Sequence, residues 1–338
     1  MKLRQPFHLP DPYQAMQRRA VRLAWWSIAL LGLAVLGMYF VMGSSQAMKT
    51  AWIEDLLSLI PPIAYLIATR VSKLPPNAQF PYGYHRAISI AFLVSAIALL
   101  TMGVLLLVES VVKLVTREHP TIQSMELGGW FVWQGWLMLG VLVITGVIPV
   151  VLGRMKLPIA RALHDKALYA DADMNKADWL TALSAVLGVV GIGFGVWWSD
   201  AAAAAFISLA ITRDGAKDLR RVVLDLMDRS PTHVDSGTPL DVPEKLRAAL
   251  TALDWVTDAD VRLREEGHVF SGEAFVVPAG ERDLLERAAQ IRALAVTLDW
   301  RLSELVVTFV NSLDFPSSGA GAGSGGDRAA APASNALK

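Results

Sequence analysis

Apolar positions in this chain fall in long blocks. Nearly uncharged runs occupy roughly residues 21–42, 50–69, 87–115 and 130–153. A fifth starts polar near residue 158 and runs to 197, and a sixth covers 201–211. A helix needs about 20 mostly apolar residues to cross the hydrocarbon core of a bilayer, so the pattern predicts six transmembrane helices. The sixth run is short, but its helical pattern continues through Arg220 and Arg221 toward Asp228. It therefore predicts a helix that leaves the membrane. The first run is too long for a signal-peptide core, and no small-residue cleavage site closes it.

After residue 230 the period changes. EKLRAALTAL reads as a helix, WVTDADVRLR and VFSGEAFVV as strands around the turn EEGH, ERDLLERAAQIRALAVTL as an amphipathic helix and ELVVTFVN as a strand. Val261 and Leu263 alternate with Arg262 and Arg264, which marks a sheet with one solvated face. The expected architecture is thus an α-helical membrane protein with six transmembrane helices and a C-terminal cytoplasmic α+β domain of αββαβ, ferredoxin-like order. The corresponding divisions are an N-terminal tail (1–20), a transmembrane domain (21–228), the soluble domain (229–312) and a Gly/Ala/Ser-rich tail (313–338) that is expected to be disordered.

Composition agrees with this reading and narrows the function. The chain has 338 residues, is 54% hydrophobic and 18% charged, and has a mean hydropathy of +0.41. It contains no cysteine, which excludes disulfides and thiolate metal sites. Its 31 basic and 31 acidic residues argue against a general nucleic-acid binder. Lysine and arginine fall in alternate connections: Arg18, Arg19 and Arg22 before the first run, Arg70, Lys73 and Arg86 after the second, Arg154, Lys156 and Arg161 after the fourth, and a basic stretch after the sixth. The intervening connections offer little beyond Lys49 and Arg117. That asymmetry predicts both termini in the cytoplasm, with the plasma (inner) membrane as the expected location.

Carboxylates inside the apolar runs carry the candidate chemistry. A charge in a spanning helix is costly, so it faces a partner, an ion or water. The second run holds Glu54 and Asp55, and the fifth holds Asp171, Asp173 and Asp178. At 100° per residue, Asp171, Asn175 and Asp178 fall within about 60° of one another with Met174 beside them, while Asp173 points elsewhere. Asp55, Ser58, Leu59 and Pro62 share one face of the second run, and Glu54 points off it as an interfacial or supporting group. Two helices can each offer an oxygen-rich stripe suited to a divalent cation. The competing readings are a headgroup position for Asp171 and Asp173, and structural pairing of Asp55 or Asp178 with Lys176 or Arg161. Pro61 and Pro62 predict a kink in the second run.

These features together resemble the cation diffusion facilitators, across about residues 15–312. LPPNAQFPYGYHRA before the third run is similar to the family's proline-rich P-Y-G-H-x-R-like segment, and MDRSP at 227–231 to its boundary with the soluble domain. Asp55 falls on the first aspartate of the family's D-x-x-x-D motif, and Asp178 on the last of its H/D-x-x-x-D motif. The partner positions are Leu59 and Met174, so half of the family's tetrahedral site is absent. The resemblance implies a divalent-metal site of Asp55 and Asp178. Either Asp171 and Asn175 complete it, which favours Mn²⁺, Fe²⁺ or Mg²⁺ over Zn²⁺, or the Met174 thioether does, which favours Fe²⁺ or Co²⁺.

The resemblance further implies efflux of the metal ion in exchange for protons, and a homodimer paired through the soluble domain. No resident cofactor is expected, and no Walker-type loop supports ATP hydrolysis. The chain is not expected to be an enzyme, because no nucleophile constellation lies at membrane depth. The missing ligands at Leu59 and Met174 keep one rival open, a scaffold or sensor of the same fold that no longer moves metal. Elsewhere, His268 with Glu265, Glu266 and Glu273 reads either as a regulatory metal cluster or as a solvated turn, and His164 with Asp165 as a proton-shuttling or snorkelling pair.

Overall fold

The computed structural model describes residues 9–41, 46–117, 124–127 and 130–313. The expected disorder of the C-terminal tail lies almost wholly outside them. Long helices form a bundle: α1 (Asp11–Val41), α2 (Gln46–Ser58) continued by α3 (Ile60–Val71), α4 (Ala87–Thr116), α5 (Gln134–Leu163), α6 (Lys166–Gly193) and α7 (Ser199–Leu226). Among the described residues, four stretches are long and apolar enough to cross a membrane: Asp11–Gly37, Trp52–Val71, Ala87–Thr116 and Lys166–Gly193. In α7, charges fill the second half from Arg213 to Asp225.

Three boundaries differ from the hydropathy blocks. Residues 130–133 do not begin a helix: β2 (Trp130–Trp133) pairs antiparallel with β1 (Ser124–Leu127), and α5 starts only at Gln134. At its other end α5 runs on past Pro149 and Pro158 to Leu163, so residues 158–163 belong to the fourth path and not to the fifth. The break falls at His164, which turns left-handed (φ 51°). Asp165 then caps α6 by accepting a hydrogen bond from the Leu168 amide at 2.9 Å. The break between α2 and α3 lies at Leu59, because Pro61 and Pro62 lack the N–H groups that the Leu57 and Ser58 carbonyls would otherwise accept.

Small residues set the packing. A Cβ on Gly103 of α4 would lie 2.6 Å from the Thr212 amide nitrogen of α7, and one on Gly215 of α7 would lie 2.7 Å from the Leu100 Cα. The two backbones touch, as close-packed membrane helices do at small residues. A core of Ala20, Ala24, Tyr65, Phe92, Leu163 and Leu168 joins α1, α3, α4, α5 and α6. Leu33, Phe40, Phe194 and Phe206 stand largely exposed on the outer faces, the inside-out pattern that lipid accommodates.

The C-terminal region follows the order α8 (Val242–Thr251), β3 (Val256–Glu266), β4 (Val269–Pro278), α9 (Leu284–Leu298) and β5 (Leu302–Phe309). Its sheet runs β3-β4-β5, with β3 and β4 antiparallel and β4 and β5 parallel, the parallel pair joined through α9. Leu246, Leu250, Phe270, Ala274 and Ile291 fill the space between sheet and helices.

Candidate functional site

Asp178 sits near the middle of α6 and Ser58 ends α2. The Ser58 hydroxyl donates to Asp178 Oδ1 at 2.7 Å, so the kinked second path is tied to the fifth at this point. The other carboxylate oxygen, Oδ2, is buried without a hydrogen-bond partner. Beside it opens a cavity of about 410 Å³, with Glu54, Asp55, Ser58, Asn175 and Asp178 in its wall. Leu30, Met102, Pro149 and Leu152 close it from α1, α4 and α5. Glu54 contributes a second buried oxygen, Oε1, that has no hydrogen-bond partner. The Asn175 amide nitrogen donates to the Asp171 carbonyl at 2.7 Å, leaving the amide oxygen as the atom that Asn175 can offer. Three carboxylates, an amide and the hydroxyls of Ser58 and Thr181 thus line one largely apolar hollow. Among the described residues, no three His, Asp or Glu side chains converge closely enough to hold a metal ion in this conformation.

The five sequence candidates separate. Asp55, Asn175 and Asp178 share the cavity. Met174 does not line it: its side chain is 1% exposed and packs among Ala98, Leu99, Met102 and Ile211. Asp171 is withdrawn too, with Oδ2 2.7 Å from the Lys156 ammonium. Lys156, read from the sequence as a loop residue, is fully buried in α5 and also donates to Ser27 of α1 at 2.6 Å. Glu54, read as pointing off the Asp55 face, lines the same cavity. The structural partners considered for Asp178 are engaged elsewhere, Lys176 with Asp214 at 2.7 Å and Arg161 with Asp235 at 3.3 Å. Asp173 lines a separate pocket with Arg154 and Lys176.

A second cluster was not legible in the sequence. The tip of the β3–β4 hairpin, read there as a solvated turn or metal cluster, is buried against the helix ends. Gly267 (φ 67°) makes the turn, and a Cβ there would lie 2.6 Å from the His85 carbonyl, so only glycine fits both the backbone and the contact. Lys166, at the start of α6, reaches Asp225 of α7 (2.7 Å), Glu265 of β3 (2.8 Å) and Thr232 (3.0 Å). His164 Nε2 faces Glu265 at 3.4 Å, and His268 Nε2 faces Asp165 at 3.5 Å. Burial raises the Glu265 carboxyl, but His164 and Lys166 more than offset this and hold it at about 2. Burial pulls the His164 imidazole below its ordinary range, against the opposing pull of Glu265. The hairpin and the helix ends are therefore joined by buried charge, and His164 and Asp165 are part of that junction.

Residues 23–227 match the family model described as the cation efflux transmembrane domain. The chain is 25% identical over 169 residues to the manganese efflux system protein MneS of Bacillus subtilis, covering 50% of this chain and 54% of that protein. It is 27% identical over 236 residues to the manganese efflux system protein MneP of the same organism, covering 68% of this chain and 73% of MneP. An uncharacterised transporter of Methanocaldococcus jannaschii is 23% identical over 184 residues, or 54% of this chain and 60% of that one. The chain thus spans about half the length of the first of these relatives. With the cation efflux domain covering more than half of its residues, on helices able to cross a bilayer, the chain is an integral membrane protein and belongs to the cation efflux, or cation diffusion facilitator, family.

Proposed function

We propose that this protein exports a divalent metal cation, Mn²⁺ or Fe²⁺ in preference to Zn²⁺, in exchange for protons. The observation that carries the reading is the cavity between α1, α2, α4, α5 and α6, where Asp178 is held by Ser58 and faces Asp55, Glu54 and Asn175. Every ligand it offers apart from the Met102 thioether is an oxygen, and hard oxygen sets favour Mn²⁺ and its neighbours over zinc, which prefers nitrogen and sulfur. The printed names of MneS and MneP, both manganese efflux proteins, point the same way.

The mechanism follows from charge. Clustered carboxylates in a dry cavity do not stay bare: they carry either protons or a cation. A cation entering from the cytoplasm displaces protons, the bundle rocks to face outward, and protons from that side release the ion. In this mechanism the α2–α3 break, next to the Ser58–Asp178 hydrogen bond, is the joint that moves. In this reading the chain forms six spans in the plasma membrane with both termini cytoplasmic. The αββαβ region is a ferredoxin-like domain that pairs with a second copy, for which exposed Leu285, Val296 and Val306 supply apolar surface.

The test is transport in proteoliposomes containing a pH-sensitive dye, with Mn²⁺, Fe²⁺, Co²⁺, Zn²⁺ and Mg²⁺ supplied in turn. The expected result is metal-dependent proton movement, largest with Mn²⁺ or Fe²⁺, that is abolished in Asp178→Asn and in Asp55→Asn. No proton movement with any metal from folded protein overturns the reading and leaves a non-transporting scaffold or sensor of the same fold.

A further inference from the structure

Lys156 is an anomaly that transport chemistry as outlined above leaves unused. It is a lysine with no exposed surface, in the interior of an apolar bundle, held between Ser27 of α1 and Asp171 of α6. Ser27 and Asp171 are themselves 0% and 1% exposed. A buried ion pair is poor evidence of a stabilising role, since well-packed apolar residues of the same volume serve as well or better. What such a pair does supply, and apolar packing cannot, is a fixed electric field in a region of low dielectric.

That field falls on the transport cavity. Lys156 lies four residues, one helical turn, from Leu152, and Asp171 lies one turn from Asn175; both Leu152 and Asn175 are in the cavity wall. Asp171 is the one acidic residue on the Asn175–Asp178 face of α6 that the cavity lacks, and Lys156 is the group that holds it. Building on the proposed transport function, we propose that Lys156 is a tethered counter-cation of the cavity: by closing on Asp171 it keeps a further carboxylate out of the metal site and weakens the grip on a divalent ion to a level from which the ion can leave. A transporter must bind its cargo and also release it. An additional ligand in the cavity would favour binding alone.

The arrangement has an electrostatic signature that a purely structural staple lacks. Removing the lysine charge alone leaves Asp171 to the cavity and removes a repulsive charge, so affinity rises. Removing the Asp171 charge alone leaves an unopposed ammonium beside the cavity, so affinity falls. Removing both restores the starting balance.

The experiment is calorimetric titration of Mn²⁺ into the purified full-length protein and into Lys156→Met, Asp171→Asn and the double variant, each checked for a single folded species. Expected are Kd values lower by at least about tenfold in Lys156→Met, higher by at least about tenfold in Asp171→Asn, and within about threefold of the parent in the double variant. Should Lys156→Met fail to fold, Lys156→Gln takes its place: it keeps a polar group between Ser27 and Asp171 while removing the charge, and should likewise lower Kd by at least about tenfold. Equal Kd values in all folded forms, or a loss of affinity in Lys156→Met that Asp171→Asn does not reverse, overturns the inference and leaves the transport reading standing. A parent protein that binds no divalent cation sinks both.

Discussion

Replacing Lys166 with methionine removes one ammonium while keeping the length and most of the volume of the side chain. The three N–H donors of Lys166 are all used, on Asp225, Glu265 and Thr232, so the substitution leaves two carboxylates with 5% exposure each short of a partner. Asp225 keeps Arg229 at 2.7 Å, whereas Glu265 keeps only His164. Stripping one partner from a buried pair costs about 3–5 kcal/mol. The lower figure is the better estimate, because Asp225 retains its arginine and Glu265 can take up a proton. At 1.4 kcal/mol per decade, about 3 kcal/mol shifts the docked-to-undocked ratio of the hairpin by roughly a hundredfold.

Amide hydrogen exchange read by mass spectrometry measures that ratio locally. Peptides covering the hairpin tip, residues 262–272, should exchange about a hundredfold faster in Lys166→Met, while those covering Leu246 and Ile291 in the domain core stay within a few-fold of the parent. The double variant Lys166→Met with Glu265→Met should recover most of the protection, since no carboxylate is then left bare at that position. Unchanged protection of residues 262–272 in Lys166→Met would show that shape complementarity, and not buried charge, holds the hairpin to the helix ends.

Two further outcomes follow from the same structure. The Glu265 carboxyl lies below its ordinary value, so its contribution is complete above about pH 4.5 and is lost as pH falls toward 2. The His164 imidazole is also lowered, with Glu265, Lys166 and Arg301 facing it, and its contribution is complete above 6.5 and declines below it. Thermal unfolding followed from pH 8 to pH 2 should therefore fall in two steps, and His164→Gln should remove the upper one; a flat profile would contradict both assignments. Gly103→Ala places a Cβ 2.6 Å from the Thr212 backbone nitrogen and should cost about 1–3 kcal/mol by forcing α4 and α7 apart. Gly32→Ala meets nothing within 4 Å and should leave the melting temperature unchanged, so equal effects of the two would refute the close-packing argument.

What the sequence settled by itself was much of what depends on local pattern, although the ends of the fourth and fifth apolar runs were misplaced. Hydropathy located the apolar helices because the cost of unpaired backbone in lipid acts on each segment separately. The period-2 alternation at Val261–Arg264 announced a strand for the same local reason. Aspartates stand out in apolar runs whatever surrounds them, which is why Asp55 and Asp178 could be named from the sequence. Partners are a different matter, since they come from other elements. Lys156 looks like a loop lysine until α5 is seen to run to Leu163, and Asp171 looks like a ligand until that lysine is found upon it. Met174 shares the wheel face of Asp178, yet the packing of α4 and α7 turns it into an apolar cluster. Glu54 lines the cavity beside Asp55 because the hollow is wide enough to reach both, and EEGH is buried because four helix ends come together over it. In each case the residue's own chemistry was plain in the sequence, and the tertiary fold decided which charges lie within a few ångströms, where the low dielectric makes them strong.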